Sequence, residues 1–144
     1  MFNRILIVCV GNICRSPMAE FLLRDQLACP DICVASAGLG ALVGHPPDHH
    51  ATALLRERGI DASAHRARQL ERVMLRDADL VLVMERRHLR AVTRMAPEAS
   101  GKLFLLRHWV GADDVPDPYR QTRQVFEHAC ALIEHGVSSW RRYL

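Results

Sequence analysis

Four apolar residues, Ile5-Leu6-Ile7-Val8, run without interruption into Cys9-Val10-Gly11-Asn12-Ile13-Cys14-Arg15-Ser16, followed by Pro17. A short, β-branched, uninterrupted run is the pattern of a strand buried on both faces of a parallel sheet. Ser16-Pro17 reads as an N-cap with proline at the first helical position, opening a helix that runs to about residue 27. A strand, a six-residue turn and a helix start leave little freedom. Backbone N–H groups of such a turn can converge on one anion, helped by the positive helix N-terminus.

The same alternation continues along the chain. Residues 32–36 read as a second strand ending at Ala37-Gly38, and residues 39–48 as a loop rich in Gly, His and Pro. Helices are expected over 51–58, stopped by Gly59, over 71–76 and over 86–95. Strands are expected over 80–84 and 102–106, with a turn at Pro97. Val125, Phe126, Ala129, Leu132, Ile133, Val137 and Trp140 form the 3.6-residue stripe of a last helix. The pattern predicts a single α/β domain over residues 1–144: a three-layer open sheet of about four parallel strands, helices on both faces, phosphate loop after strand 1. Ligands in such sheets bind at the carboxyl ends of the strands, where Cys9 falls.

A chain of 144 residues is long enough to bury a core without metal or disulfide staples. The five cysteines are odd in number and lack a framework spacing, so thiols are expected, with Cys29, Cys33 and Cys130 as packing residues. The net charge of +3 is too mild, and the cations too scattered, to suggest nucleic acid, but it suits an anionic substrate. No run reaches membrane-spanning length, and the start lacks a secretory pattern, so a cytoplasmic protein without membrane insertion is expected. His45, His49 and His50 lack a well-spaced partner set and read as a solvated loop, so neither metal nor cofactor is expected.

The loop also carries chemistry. Gly11 and Asn12 tolerate positive φ, which a tight cradle needs. Arg15 offers a planar fork for two phosphate oxygens. Cations and a helix N-terminus favour the thiolate, the nucleophilic form of a cysteine at Cys9. Ser16 could donate a hydroxyl to that sulfur, although capping competes for the same side chain. The loop has neither the lysine of a P-loop nor the glycines of a dinucleotide fold. A general acid is needed to expel an oxygen leaving group, and composition leaves Asp113, Asp114 and Asp117 open.

The Cys9–Pro17 run, Ser36-Ala37-Gly38 and Asp117-Pro118-Tyr119 together resemble the low-molecular-weight protein tyrosine phosphatases, in family order over essentially the whole chain. Residues 36–44, 84–88 and 116–120 look most like the bacterial branch that works opposite tyrosine autokinases in capsule and exopolysaccharide export. The resemblance implies a phosphocysteine intermediate on Cys9, with Arg15 in catalysis and Asp117 as general acid/base. It further implies phosphate binding by Val10, Gly11, Asn12, Ile13, Cys14 and Ser16, with a left-handed Asn12 supported by Ser36. Leu42 and Tyr119 would wall the substrate ring, and the partner would be a phosphotyrosine protein such as the tyrosine-rich tail of a membrane tyrosine autokinase. Arg120, where many animal members carry tyrosine, would favour acidic phosphopeptides. Cys14 could form a reversible disulfide with Cys9.

Three other readings share part of this pattern. Arsenate reductases on this fold use further cysteines, but none occurs between residues 33 and 130. Protein-arginine phosphatases typically carry threonine where Ile13 stands. A non-catalytic phosphate-binding adaptor would lack the nucleophile or the acid.

Overall fold

The computed structural model describes residues 2–144. Four strands, β1 (Arg4–Cys9), β2 (Cys33–Gly38), β3 (Leu80–Val83) and β4 (Leu103–Leu105), form one parallel sheet in the order β2-β1-β3-β4. Five α-helices accompany them: α1 (Arg15–Leu27), α2 (His49–Glu57), α3 (Arg72–Asp77), α4 (Arg86–Met95) and α5 (Arg123–Arg141). Alternation along β1 divides the core. Ile5, Ile7 and Cys9 pack with residues of α1, α2 and α5, whereas Leu6 and Val8 pack with residues of α3 and α4. Three layers result, as the strand–helix alternation predicts.

Several boundaries differ from expectation for local reasons. Helix α1 begins at Arg15, with Cys14 at the N-cap position and no side-chain cap. Ser16 is therefore not the cap; its hydroxyl is drawn back to the loop. Pro17 falls within the first turn, where a missing N–H has no helical partner to lose. Helix α2 starts two residues early because the Asp48 side chain accepts a bond from His50 N. Residues Pro97–Lys102 form a 3₁₀ helix rather than a simple turn. On α5, Phe126, Ala129, Ile133, Val137 and Trp140 are buried, while Val125 and Leu132 lie at the edge of the stripe.

The lesser expectations divide. Cys130 is buried and its burial pushes the thiol up to about 11. Cys33 is exposed at the start of edge strand β2, so it is not a packing residue. His50 packs its ring 4.9 Å from that of Phe126 rather than lying free in a loop. Among the described residues no helix is long and apolar enough to cross a membrane.

The end of β2 supports the phosphate loop directly. A Cβ on Gly38 would lie 2.3 Å from Val10 O and 3.1 Å from Asn12 Cβ. Only the bare backbone lets β2 pass that close. Gly38→Ala is expected to destabilise the protein by about 1–3 kcal/mol, the usual cost of overpacking, and to disturb the loop. Denaturant unfolding checks this; an unchanged midpoint would show that the contact is easily relieved.

Candidate active site

The loop after β1 directs its carbonyls away from its own centre. Cys9 O accepts from Leu39 N at 2.9 Å, Val10 O from Gly40 N at 3.0 Å and Gly11 O from Leu42 N at 3.1 Å. His65 Nε2 lies 2.8 Å from Asn12 O. Ile13 O accepts from Asp48 N at 2.8 Å and Cys14 O from Met18 N at 3.1 Å. Among the described residues, no backbone N–H from positions 10–16 donates within the protein. With the carbonyls tied back, the free polar groups of the turn are donors. That is the electrostatics of an anion cradle.

Asn12 holds the turn in shape. Its φ of 59° is left-handed, a conformation a non-glycine residue keeps only when its surroundings enforce it. Asn12 Nδ2 donates to Ser16 Oγ at 2.8 Å and to Ser36 Oγ at 2.9 Å, while Oδ1 accepts from Arg68 N at 2.9 Å. Ser36 Oγ donates in turn to Glu20 Oε1 at 2.5 Å, and Arg24 pairs with the other oxygen of Glu20. Because Ser16 Oγ already accepts from Asn12, its proton is free to point at Cys9 Sγ, 2.8 Å away. The hydroxyl that might have capped α1 is thus placed to donate to a thiolate at Cys9.

Arg15 is 1% exposed and is fixed from behind. Its Nη1 donates to Glu85 Oε2 at 2.6 Å and to Val115 O at 2.8 Å. Burial works to raise the Glu85 carboxyl, but hydrogen bonds from Arg15 and Arg87 outweigh it and hold the group below the usual carboxylate range. A buried guanidinium therefore has its counter-ion. His88 lies behind Glu85, its Nε2 3.2 Å from Oε2 without hydrogen-bond geometry, and neither ring nitrogen has a partner. Burial first, then the Arg15 charge, pushes this imidazole down to about 4.

Three aspartates were open on composition, and their contacts separate them. Asp113 pairs with Arg107 at 2.6 Å, and Asp114 accepts from Arg86 N at 2.9 Å. Asp117 faces the cleft, 3.7 Å from Arg15 Nη2, and braces the following turn by accepting from Tyr119 N. The cleft holds about 140 Å³ and is lined by Cys9, Val10, Gly11, Ile13, Cys14, Arg15, Leu42, Asp117 and Tyr119, with Gly40. Cys9 is 2% exposed at its floor and Tyr119 37% exposed at its rim. Burial, then the Asp48 charge, pushes the Cys14 thiol well above the ordinary range.

Asn12, Ser16 and Ser36 lie behind the loop rather than in the cleft. Sequence reading missed Gly40, Glu20, His65 and Glu85. A lone acid directly after the apolar run of β3 was a usable signal for Glu85, since that position is the carboxyl end of a central strand. An acid inside the apolar run of α1 was a weaker one for Glu20. Nothing local marks His65. Among the described residues no group of three His, Cys, Asp or Glu side chains is placed to hold a metal ion.

Residues 4–144 match the family described as low molecular weight phosphotyrosine protein phosphatase. The chain is 46% identical over 144 residues to the low molecular weight protein-tyrosine-phosphatase Wzb of Escherichia coli K12, covering all of this chain and 97% of that one. Among solved structures, Vibrio vulnificus Wzb in complex with benzylphosphonate aligns over 100% of both chains, with a TM-score of 0.95 at 44% identity. The YwlE arginine phosphatase of Geobacillus stearothermophilus aligns over 99% of this chain and 92% of its own, with a TM-score of 0.91 at 36% identity.

The buried His88 has a consequence in acid. Its folded form binds a proton less readily than the unfolded chain, so its neutral form supports the fold above about pH 6.5. That support is lost as pH falls toward 4. Relative to His88→Leu, the natural chain should lose on the order of 1–3 kcal/mol between those limits. Unfolding measured across that range checks it; parallel stability curves for the two proteins would contradict it.

Proposed function

The chain belongs to the low molecular weight phosphotyrosine protein phosphatase family and is a protein-tyrosine phosphatase; from that premise we propose how its own residues carry the reaction. The thiolate of Cys9 attacks phosphorus in line with the tyrosyl oxygen. The P–O bond breaks as the P–S bond forms, and Asp117 gives its proton to the departing phenolate oxygen. The loop N–H groups and Arg15 stabilise the charge developing on the equatorial oxygens. In the second step the Asp117 carboxylate takes a proton from water as the water oxygen attacks phosphorus. The P–S bond breaks, inorganic phosphate leaves and the thiolate is restored.

The single observation that carries this reading is the juxtaposition at the cleft floor. Cys9 Sγ sits beside the Ser16 hydroxyl and inside a ring of inward donors, while Asp117 lines the same cleft beside Arg15. Depth supports the aryl substrate: a nucleophile this buried is reached by a long, narrow group better than by a short phosphoserine arm. Ile13, Leu42 and Tyr119 give the slot apolar walls suited to a ring.

The similarity to Wzb proteins supports a substrate of the same kind, the phosphorylated tyrosine-rich tail of a bacterial membrane tyrosine autokinase in capsule or exopolysaccharide production. It supports a cytoplasmic site of action for the same reason. The similarity to an arginine phosphatase makes phosphoarginine the informative competitor, and the apolar Ile13 favours the aromatic ring.

Two experiments test the roles. Cys9→Ser should abolish turnover of a phosphotyrosine peptide yet still bind inorganic phosphate; substantial residual turnover would remove Cys9 as nucleophile. Asp117→Asn should slow the same substrate by about 10²–10⁴, and by less for aryl phosphates with better leaving groups. An equal loss across leaving groups would point to another acid.

A further inference from the structure

Helix α4 (Arg86–Met95) carries four arginines, Arg86, Arg87, Arg90 and Arg94, and no acidic residue. The whole chain has 19 cationic and 16 acidic residues. Outside this helix 15 cations therefore face 16 acids, and the net positive charge resides on one ten-residue segment. Many other arginines have carboxylate partners: Arg58 with Glu134, Arg72 with Glu98, Arg107 with Asp113, and Arg123 with Glu57 and Glu127. On α4 only Arg87 has one, Glu85 at 3.1 Å. Among the described residues, Arg90 and Arg94 make neither an ion pair nor a hydrogen bond, and both are exposed.

A solvated cationic helix face is the ordinary alternative. Here the face begins at the catalytic cleft. Glu85, at the N-cap of α4, holds Arg15, and Arg86 N is bonded to Asp114 in the segment that carries Asp117. Arg86, Arg90 and Arg94 recur every four residues and so lie along one side of the helix. They span eight residues, about 12 Å at 1.5 Å per residue. An extended peptide rises about 3.3 Å per residue, so the strip matches roughly four residues leading away from the cleft. Beside it, Leu89, Arg90, Thr93, Arg94 and Pro97 line a shallow groove with a largely apolar floor. At the cleft's rim Arg120, with a left-handed φ of 62°, sets its guanidinium 5.1 Å from the Tyr119 ring.

We propose that α4 is a docking strip for an acidic segment of the phosphoprotein, engaging carboxylates up to about four residues from the phosphotyrosine. This rests on the reading of the cleft as a phosphotyrosine site. The strip acts on capture and register, leaving the chemical step to the cleft residues.

The test compares kcat/KM for two phosphotyrosine peptides, one flanked by glutamates and one by glutamines in the same positions. It is run with glutamates on either side of the tyrosine, at low and at physiological salt, for the natural chain and for Arg90→Gln/Arg94→Gln. The natural chain should prefer the acidic peptide by about 3- to 30-fold, the worth of two exposed ion pairs. Salt should shrink that preference, and the double variant should lose most of it. Turnover of a small aryl phosphate and thermal unfolding should be unchanged in the variant. No preference in the natural chain, or an equal one in the variant, would overturn the strip. Arginine-dependent binding to phosphatidylserine vesicles without peptide preference would also overturn it, in favour of a membrane surface. Failure of the natural chain to hydrolyse even the aryl phosphate would instead sink the phosphatase reading.

Discussion

Six consecutive carbonyls, at positions 9–14, accept hydrogen bonds from outside the loop they belong to. A peptide group that turns its oxygen outward turns its N–H inward, so this pattern gives the loop its polarity. Five of the six donors come from far along the chain: Leu39, Gly40 and Leu42 from the segment after β2, Asp48 from the start of α2, and His65 from the connection beyond it; the sixth, Met18, is the helical partner of Cys14 O. The cradle is therefore a product of tertiary structure, although its residues are contiguous. It also explains the close approach of Gly38, where a side chain would collide with Val10 O and displace its bond from Gly40 N.

Charge is arranged around that cradle with the same economy. Arg15 is buried, and a buried cation without a partner would be costly. Glu85 supplies the partner from the far side, while Asp117, 42% exposed, stays at a looser 3.7 Å and remains free to meet a substrate. One carboxylate holds the arginine in place and the other faces the cleft. Ser16 makes a parallel division possible at the sulfur: Asn12 fills the acceptor role of the hydroxyl, so its hydrogen is left for Cys9.

Much of this was legible from residues close in sequence. The apolar run before Cys9, Asn12 and the helix after Arg15 specify a strand, a positive-φ turn and an anion-binding helix start, although Gly11, expected to share the positive φ, does not adopt it. The parallel sheet followed from apolar runs alternating with helical stripes. What local pattern could not supply was the choice between equals. Asp113, Asp114 and Asp117 are the same side chain within five residues, and only the positions of Arg107, Arg86 and Arg15 in space distinguish them. Ser16 looked like a cap because Ser-Pro usually is one; the sulfur and Asn12 compete for its hydroxyl, and they win. Glu85 and Arg15 are 70 positions apart, so although the place of Glu85 after β3 could mark it, nothing local paired it with Arg15.

The central claim is that Cys9, and no other thiol, becomes bonded to phosphorus. Rapid acid quenching during turnover of a phosphotyrosine peptide, followed by mapping of the proteolytic fragments, tests it directly. Phosphate should be found on Cys9 and should be absent from Cys14, Cys29, Cys33 and Cys130. Phosphate on another residue would contradict the account, as would turnover by Asp117→Asn of an aryl phosphate with a good leaving group, where the first step does not need the acid and the second is slowed, with no phosphoenzyme at any quench time.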